Sequence, residues 1–195
     1  MIRVLAISDE VLDEGYRSMF SSLEPDVVVA CGDLPDDYLE DVMDGLSVPL
    51  VWVPGNHDGG PSCGVPADGR IVRVAGLTIA GLGGSPQYNR GPYQYTEKQM
   101  KWRALKLEMK ARWSALRGRP VDVLITHSPP RGLGDGDDKA HRGFDSFRRL
   151  IAAIRPRFFV HGHIHPCGLR PADIKSGTTT IINAVGYRLL EVDAR

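Results

Sequence analysis

Histidine is unevenly distributed along this chain of 195 residues. Three of the six histidines, His161, His163 and His165, occupy alternate positions in the segment FFVHGHIHP. Residues two apart in an extended strand lie about 6.6 Å apart, so two of these imidazoles can serve two neighbouring metal ions. His161 comes earlier in the strand than the other two, and we expect it to pack beside such a site without binding a metal.

Further residues that can bind metals follow the other short apolar runs of the chain. The runs lead into Asp9, Asp33, the pair Asn56 and His57, and His127. Imidazoles, carboxylates and one amide oxygen suit Mn, Fe, Zn or Co, whereas Ca and Mg prefer oxygen throughout. Because the set contains no cysteine, it argues against a structural zinc site.

Short β-branched runs must position these residues. IRVLAIS, DVVVAC and PLVWVP are nearly continuously apolar, and each pair is separated by enough chain for one helix, which predicts a βαβαβ unit of parallel strands. IVRVAG and LTIAGL predict a hairpin near Gly76, and further strands are predicted at VDVLITH, RFFVHG, TTTIINA and GYRLLEVD. Polar groups at the carboxyl ends of such strands should converge on one crevice. We predict one layered α/β domain with more than one sheet over residues 1–195.

The clearest helix is predicted from Thr96 to Leu116. Thr96 and Gln99 form a capping box at its start. An apolar stripe of the kind that faces a core consists of Leu105, Met109, Trp113 and Leu116. The helix also carries many cations, which we interpret as a solvated face on a neutral protein and not as a nucleic-acid surface. They are Lys98, Lys101, Arg103, Lys106, Lys110, Arg112 and Arg117.

The charge balance excludes a global attraction to nucleic acid or to an acidic membrane surface. Lys plus Arg and Asp plus Glu each total 24, so the formal net charge is zero and any anion-binding site must be local. No apolar run approaches the roughly 20 residues of a membrane span, and the start MIRVLAIS lacks the features of a signal peptide. We therefore expect a cytoplasmic protein without a membrane partner and disfavour a nucleic-acid partner.

The ordered motifs resemble those of the calcineurin-like metallophosphoesterase superfamily. The resemblance rests on Asp9, Gly32-Asp33, GNHD at residues 55–58, His127 and GHIH at residues 162–165. It implies an αββα sandwich of mixed sheets with two divalent ions, Mn, Fe, Zn or Co, at the C-terminal ends of strands. Asp33 would bridge the ions. The resemblance assigns Asp9 and His165 to the first site and Asn56, His127 and His163 to the second.

The resemblance also implies the hydrolysis of phosphate esters. A metal-bridged hydroxide would attack phosphorus, and His57 would protonate the leaving oxygen as the general acid. Asp36 stands where related phosphatases have the aspartate that orients this histidine, and Asp58 is a rival for that role. The implied substrates are phosphomonoesters or phosphodiesters of small molecules, nucleotides included.

Candidate substrate-binding residues lie in loops after the strands. Arg131 follows His127 closely and can reach a substrate phosphate. His141 and Arg142 precede a predicted helix start, where free N–H groups favour anions. A Gly/Pro-rich loop offers surfaces on which a base can stack, namely Tyr88, Asn89, Arg90, Tyr93 and Tyr95.

The sequence departs from the family pattern at Val11, where the first motif, Asp-x-His, has its histidine. Valine cannot bind a metal, so the first site keeps Asp9, Asp33 and His165. Water can fill the site, Glu10 or another neighbour can substitute, or the protein can work with one tightly held ion. We expect a weak but occupied first site. The alternative function is a catalytically weak or inactive module that binds phosphates or nucleotides.

Overall fold

The computed structural model describes residues 1–58, 62–89 and 91–193. The helices in this part of the chain are α1 (Tyr16–Ser22), α2 (Asp36–Leu46), α3 (Glu97–Leu116) and α4 (Asp145–Ile154). The strands are β1 (Ile2–Ser8), β2 (Val27–Ala30), β3 (Leu50–Trp52), β4 (Val65–Pro66), β5 (Ile71–Val74), β6 (Leu77–Leu82), β7 (Ser85–Pro86), β8 (Gln94–Tyr95), β9 (Val123–Thr126), β10 (Phe158–His161), β11 (Ile174–Ser176), β12 (Thr179–Asn183) and β13 (Gly186–Val192). The predicted βαβαβ start is confirmed as β1-α1-β2-α2-β3.

Two mixed sheets form the centre of the fold. The first has the order β13-β1-β2-β3-β4, in which β1 to β4 are parallel and β13 is antiparallel. The second has the order β11-β12-β10-β9-β6-β5, in which the four inner strands are parallel and both edge strands are antiparallel. A third, two-stranded sheet pairs β7 with β8. In each large sheet the carboxyl ends of the parallel strands therefore share one edge.

Alternation of side chains along the strands divides the core into three layers. Val4 and Ala6 of β1 belong to a cluster between the two large sheets, together with Ile79 of the second sheet. Leu5 of the same strand belongs to a cluster with Phe20 of α1. A third cluster joins the second sheet to α3 and α4. The order of layers is helix, sheet, sheet, helix, which confirms the predicted αββα sandwich.

Helix α3 buries a different side from the one predicted. Its capping box between Thr96 and Gln99 is present as expected. The predicted core stripe, however, faces solvent, because Met109 and Trp113 are each 61% exposed and Leu116 is 83% exposed. The buried side consists of Met100, Ala104, Leu107 and Ala111. The prediction was wrong because both sides of this helix are apolar, and small alanine side chains allow the closer approach to a neighbouring helix.

The hairpin predicted near Gly76 is confirmed by the antiparallel pairing of β5 with β6. Its turn is formed by Ala75 and Gly76, which have φ angles of 49° and 81°. Among the described residues, no helix combines the length and the apolar character needed to cross a membrane. That residues 1–195 form a single domain stays a prediction.

Candidate metal centre

The predicted ligands lie just beyond the carboxyl ends of parallel strands. Asp9 follows β1, Asp33 follows β2, Asn56 follows β3, His127 follows β9 and His163 follows β10. Asp9, Asp33 and His163 have positive φ angles of 61°, 55° and 67°, so the chain turns sharply at each of them. Positive φ is uncommon for residues other than glycine and is found at functional sites. The loops that follow five parallel strands thus carry the predicted ligands, and three of these residues stand at sharp turns.

Four of these residues form a compact cluster of possible ligand atoms. One such atom from each of Asp9, Asp33, His127 and His163 lies within 4.8 Å of every other. The two histidines are buried, since His127 is 0% exposed and His163 is 7% exposed. Mutual distances of this size allow one or two cations to contact all four side chains, because metal to ligand distances are about 2.0 to 2.2 Å.

The hydrogen bonds of His127 leave a lone pair that faces other acceptors. Its Nδ1–H donates to the carbonyl oxygen of Cys31 at 2.8 Å. Nε2 then lies 3.0 Å from Oδ1 of Asn56 and 3.4 Å from Oδ2 of Asp33. Asn56 is held in this orientation because its Nδ2 donates to the hydroxyl of Tyr88 at 3.1 Å. Three facing acceptors repel one another unless a proton or a cation lies among them. Imidazole, amide and carboxylate groups are ligand types that suit a divalent metal, so this set of atoms fits one.

The acceptors around His127 also shift the pKa of its ring. Burial by itself lowers the pKa of this imidazole, but the hydrogen bond to Asp33 and the charges of Asp9 and Asp33 raise it above its ordinary value. A proton on Nε2 would relieve the repulsion among the acceptors. A proton and a metal ion would therefore compete for this nitrogen.

His163 is held in a neutral form by its surroundings. Its Nε2–H donates to the carbonyl oxygen of Ala140 at 2.9 Å, which leaves the lone pair on Nδ1. Burial, and then the charge of His127, lower the pKa of His163 to about 4. Its backbone N–H donates to Oδ2 of Asp9 at 2.9 Å. A neutral imidazole with a fixed proton is the form that binds metal ions.

Two carboxylates of the cluster have opposite pKa shifts. Burial raises the pKa of Asp9, and the nearby His127 offsets part of this rise. Burial also acts to raise the pKa of Asp33, but the bond to His127 and the backbone N–H of His57 outweigh it and lower the pKa. Asp33 is therefore the more readily ionised ligand, as suits the residue expected to bridge two cations.

Glycines in the motifs are required by close approach of the chain to these carboxylates. A Cβ atom at Gly55 would lie 1.9 Å from Oδ1 of Asp33. A Cβ atom at Gly162 would lie 2.0 Å from Oγ of Ser8 and 2.2 Å from Oδ2 of Asp9. Any side chain at either position would displace a ligand, which gives a physical reason for glycine in GNHD and GHIH.

The predicted first site differs from the predicted second site in its surroundings. The side chain of His165 is 57% exposed, and its Nε2 lies 3.9 Å from Oδ1 of Asp9. Its Nδ1 lies 3.3 Å from Oε1 of Glu10. Because a carboxylate oxygen accepts hydrogen bonds, Nδ1 is the donor in this contact. Val11 is 53% exposed. Glu10 thus holds Nδ1 of His165, and the other ring nitrogen, Nε2, points toward Asp9. His165 as a ligand stays a prediction.

The predicted general acid and its partners are placed as follows. His57 is exposed, and within the described part of the chain its ring makes no hydrogen bond. Asp36 accepts from the backbone N–H and the hydroxyl of Ser62, both at 2.9 Å. Asp58 accepts from the backbone N–H groups of Asp33 and Gly55 at 3.0 and 2.6 Å. Neither carboxylate is bonded to the His57 ring, so an orienting role for either stays a prediction.

The loop with the predicted substrate-binding residues borders the cluster. The ring of His141 lies 5.4 Å from that of His163, and its Nδ1 lies 2.7 Å from Asp138. Arg131 pairs with Asp135 at 3.0 Å. Arg142 donates to the carbonyl oxygen of Asp137 at 3.4 Å. The structure brings His141 beside a ligand, whereas both arginines already have partners within the loop.

Sequence reasoning missed several groups that orient the ligands. The carbonyl oxygens of Cys31 and Ala140 set the histidine protons, and backbone groups carry no sequence signal. Tyr88 was singled out for base stacking and instead holds Asn56. Arg90, from the same loop, lies outside the described residues. His161 is buried and donates from Nδ1 to the carbonyl of Gly162 at 2.9 Å.

A protein-family model matches most of the chain. The model of the calcineurin-like phosphoesterases matches residues 2–167. The chain belongs to the calcineurin-like phosphoesterase family. All the predicted metal ligands lie within the matched range.

Two curated proteins are similar to part of the chain. The UPF0046 protein T07D4.2 of Caenorhabditis elegans is 27% identical over 97 residues, which cover 49% of this chain and 22% of that protein. The lariat debranching enzyme of Schizosaccharomyces pombe is 25% identical over 117 residues, which cover 49% of this chain and 25% of that protein. The match thus spans about a quarter of the length of each relative.

Solved structures show the same fold at low sequence identity. TT1561 of Thermus thermophilus has a TM-score of 0.68 and 16% identity, with 98% of this chain and 97% of that chain covered. Vps29 of Entamoeba histolytica complexed with Zn²⁺ has a TM-score of 0.52 and 11% identity, with 99% and 87% covered. At these identities the likeness concerns the fold alone.

Proposed function

We propose that this protein is a metal-dependent hydrolase of phosphate esters. The observation that carries the proposal is the group of facing acceptors, in which Nε2 of His127 lies 3.0 Å from Oδ1 of Asn56 and 3.4 Å from Oδ2 of Asp33. A divalent cation bound among these three atoms would remove their mutual repulsion. Membership of the calcineurin-like phosphoesterase family supports phosphate esters as the substrates.

In this proposal Asp33 and His57 have different roles, one in metal binding and one in proton transfer. Divalent cations, when bound, supply Lewis-acid polarisation of a phosphoryl oxygen and activation of water. Asp33 would be shared by two cations, and the backbone N–H of His57 donates to its Oδ1 at 2.9 Å. That bond holds His57 beside the shared carboxylate while its ring is exposed, so the ring is free to protonate a leaving oxygen.

The proposed substrate is a small phosphate ester, either a monoester or a diester. A recess of about 480 Å³ is lined in part by Arg131, Lys139 and Arg142. Its walls include the loop whose Ala140 carbonyl binds His163. These three cations outnumber the two carboxylates that also line the recess, Glu97 and Asp145. The excess of positive charge favours a substrate with a second anionic group, and nucleotides belong to that class.

The test combines metal content with activity. Protein saturated with Mn²⁺ should hydrolyse p-nitrophenyl phosphate or bis-p-nitrophenyl phosphate, and the two substrates separate monoesterase from diesterase activity. His57→Gln should lower kcat by about 10² to 10⁴ without changing metal content, because general acid catalysis has that magnitude. His161→Gln, a change of the same type at a residue that we do not expect to bind metal, should keep its activity. Metal-replete protein that hydrolyses neither substrate nor a wider panel of phosphate esters would contradict the proposal.

The second candidate function is a phosphate- or nucleotide-binding module with a degenerate first metal site. It is favoured by Val11 and by the exposure of His165, which lies outside the four-residue cluster. One ion or fewer per chain at saturating Mn²⁺, with tight nucleotide binding and no turnover, would support it. Val11→His should raise the affinity of the first site if the missing histidine limits it, and an unchanged affinity would reject that explanation.

A further inference from the structure

The outer side of α3 carries a row of apolar side chains that the fold leaves uncovered. We call it the α3 stripe, and it consists of Trp102, Met109, Trp113 and Leu116, which are 61%, 61%, 61% and 83% exposed. At 100° per residue these side chains fall within an arc of about 60°, and they extend about 21 Å along the axis at 1.5 Å per residue. The buried side of α3 is opposite. The stripe is therefore a continuous ridge of protruding apolar groups.

Cations flank the α3 stripe, and the carboxylates of the helix are turned away from it. Glu97 accepts the backbone N–H groups of Asp145 and Ser146 at the start of α4. Glu108 is 7% exposed and pairs with Arg112 at 2.8 Å. The cations along the exposed part of the helix are Lys98, Lys101, Lys106, Lys110, Arg112 and Arg117. A chain of zero net charge thus concentrates positive charge around this row of exposed apolar groups.

A groove beside the α3 stripe extends this positive surface. The groove has a volume of about 780 Å³ and lies between the second half of α3 and the start of edge strand β5. Ile71, Met109 and Trp113 line it together with Arg70 and Arg119. No carboxylate occurs among the described residues that line it. The surface around the stripe therefore fits an anionic partner that also offers apolar groups.

We propose that the α3 stripe docks this protein on an anionic phospholipid surface. Indole rings favour the boundary between lipid head groups and acyl chains, and Met and Leu side chains insert into the same layer. Lysine and arginine next to such groups attract anionic lipid head groups. The stripe also protrudes, as insertion between lipids requires. The proposal concerns a surface outside the metal centre and goes beyond the hydrolase activity proposed above.

Other occupants fit the stripe less well. A second copy packed on the same surface would place flanking cations against their counterparts, which is unfavourable. Single-stranded nucleic acid could stack on Trp102 and Trp113, but it would leave Met109 and Leu116 without a role. The expectation of no membrane partner rested on zero net charge and on the lack of a spanning segment, and neither describes a local surface.

The experiment measures binding of the full chain to phosphatidylcholine vesicles with and without phosphatidylserine, by co-sedimentation and by tryptophan emission. We expect binding and a blue shift of the emission only with phosphatidylserine, and weaker binding at high salt because exposed charges are screened. Lys106→Gln should lower the partition coefficient about five-fold, as expected for one charge near the surface. Lys175→Gln, on strand β11, is the matched control and should leave the partition coefficient unchanged.

Variants of the apolar groups provide the decisive comparison. Trp102→Ala with Trp113→Ala, and independently Met109→Ser with Leu116→Ser, should each weaken vesicle binding by at least about tenfold. Leu169→Ala is the control, because Leu169 is 96% exposed but lies outside the α3 stripe. This substitution should leave vesicle binding unchanged. Far-UV circular dichroism verifies that each variant is folded.

Four results would overturn the proposal. The first is the absence of binding to phosphatidylserine vesicles at low salt. The second is vesicle binding that survives both pairs of substitutions. The third is binding of single-stranded RNA under conditions in which vesicles are not bound. The fourth is a dimer that Met109→Ser with Leu116→Ser converts to a monomer, because a second copy would then cover the stripe.

Discussion

At the scale of single residues, hydrogen bonds decide which atoms can bind a cation. His127 and His163 each donate one ring N–H to a backbone carbonyl, which leaves one lone pair on each ring. Such partners are known to raise the affinity of metal sites, because they fix the proton and the orientation of the ring. For His165, the predicted ligand of the first site, the comparable partner is the carboxylate of Glu10.

The first prediction concerns Glu10. Glu10→Gln should lower the affinity of the first metal about 10- to 100-fold, since loss of an orienting carboxylate has that effect. Titration calorimetry with Mn²⁺ in chelator-treated protein measures the affinity of both sites. Glu14→Gln is the control, because Glu14 lies exposed on the same loop. Equal first-site affinities in the two variants would show that Glu10 does not act through His165.

At the scale of elements, the turn after β3 is linked to the turn after β2 by one carboxylate. Asp58 accepts backbone N–H groups from Gly55 in its own turn and from Asp33 in the turn after β2. Burial raises the pKa of Asp58, and those two N–H groups act in the opposite direction. The carboxylate thus ties together the loops after two neighbouring strands, both of which carry predicted ligands.

The second prediction compares two carboxylates with different partners. Asp58→Ala should lower the free energy of unfolding by about 1 to 3 kcal/mol, because two backbone donors lose their acceptor. Asp36→Ala loses contacts with exposed Ser62 and should cost about 0.5 kcal/mol or less. Urea denaturation of both variants measures the difference. Similar losses in the two variants would contradict the structural role given to Asp58.

At the scale of the whole molecule, buried histidines link folding to pH. Burial lowers the pKa of His161 to about 4, whereas an exposed histidine in the unfolded chain titrates near its ordinary value of 6.5. As the pH falls below that value, the unfolded chain takes up a proton that the folded protein does not. The stability contributed by neutral His161 is therefore complete above pH 6.5 and decreases as the pH falls toward 4.

The third prediction follows from this linkage. In metal-free protein, the free energy of unfolding of His161→Gln should fall less steeply between pH 6.5 and pH 4 than that of the natural protein. The difference in slope should approach about 1.4 kcal/mol per pH unit at most, the value for one proton. Urea denaturation at several pH values measures it. Comparing slopes separates this effect from any constant cost of the substitution, and parallel slopes would refute the prediction.

Much of the fold and the site was predictable because the signals are local. The apolar runs that form β1, β2 and β3, and the polar residues after them, are contiguous in sequence. Parallel strands bring their carboxyl ends to one edge, so Asp9 and Asp33 lie at the same edge of the first sheet. His127 follows a strand of the second sheet and joins them because the two sheets pack face to face. The capping box at Thr96 is likewise a short-range pattern.

Only the tertiary structure decided which groups complete those signals. The proton of His127 is set by Cys31, 96 positions away, and that of His163 by Ala140, 23 positions away. The buried side of α3 was decided by packing against α4 and the second sheet, because both sides are apolar enough to be core. Sequence alone determined the strands and the candidate ligands, since these depend on near neighbours. Long-range packing and backbone carbonyls determined which atoms face a cation and which apolar groups face solvent.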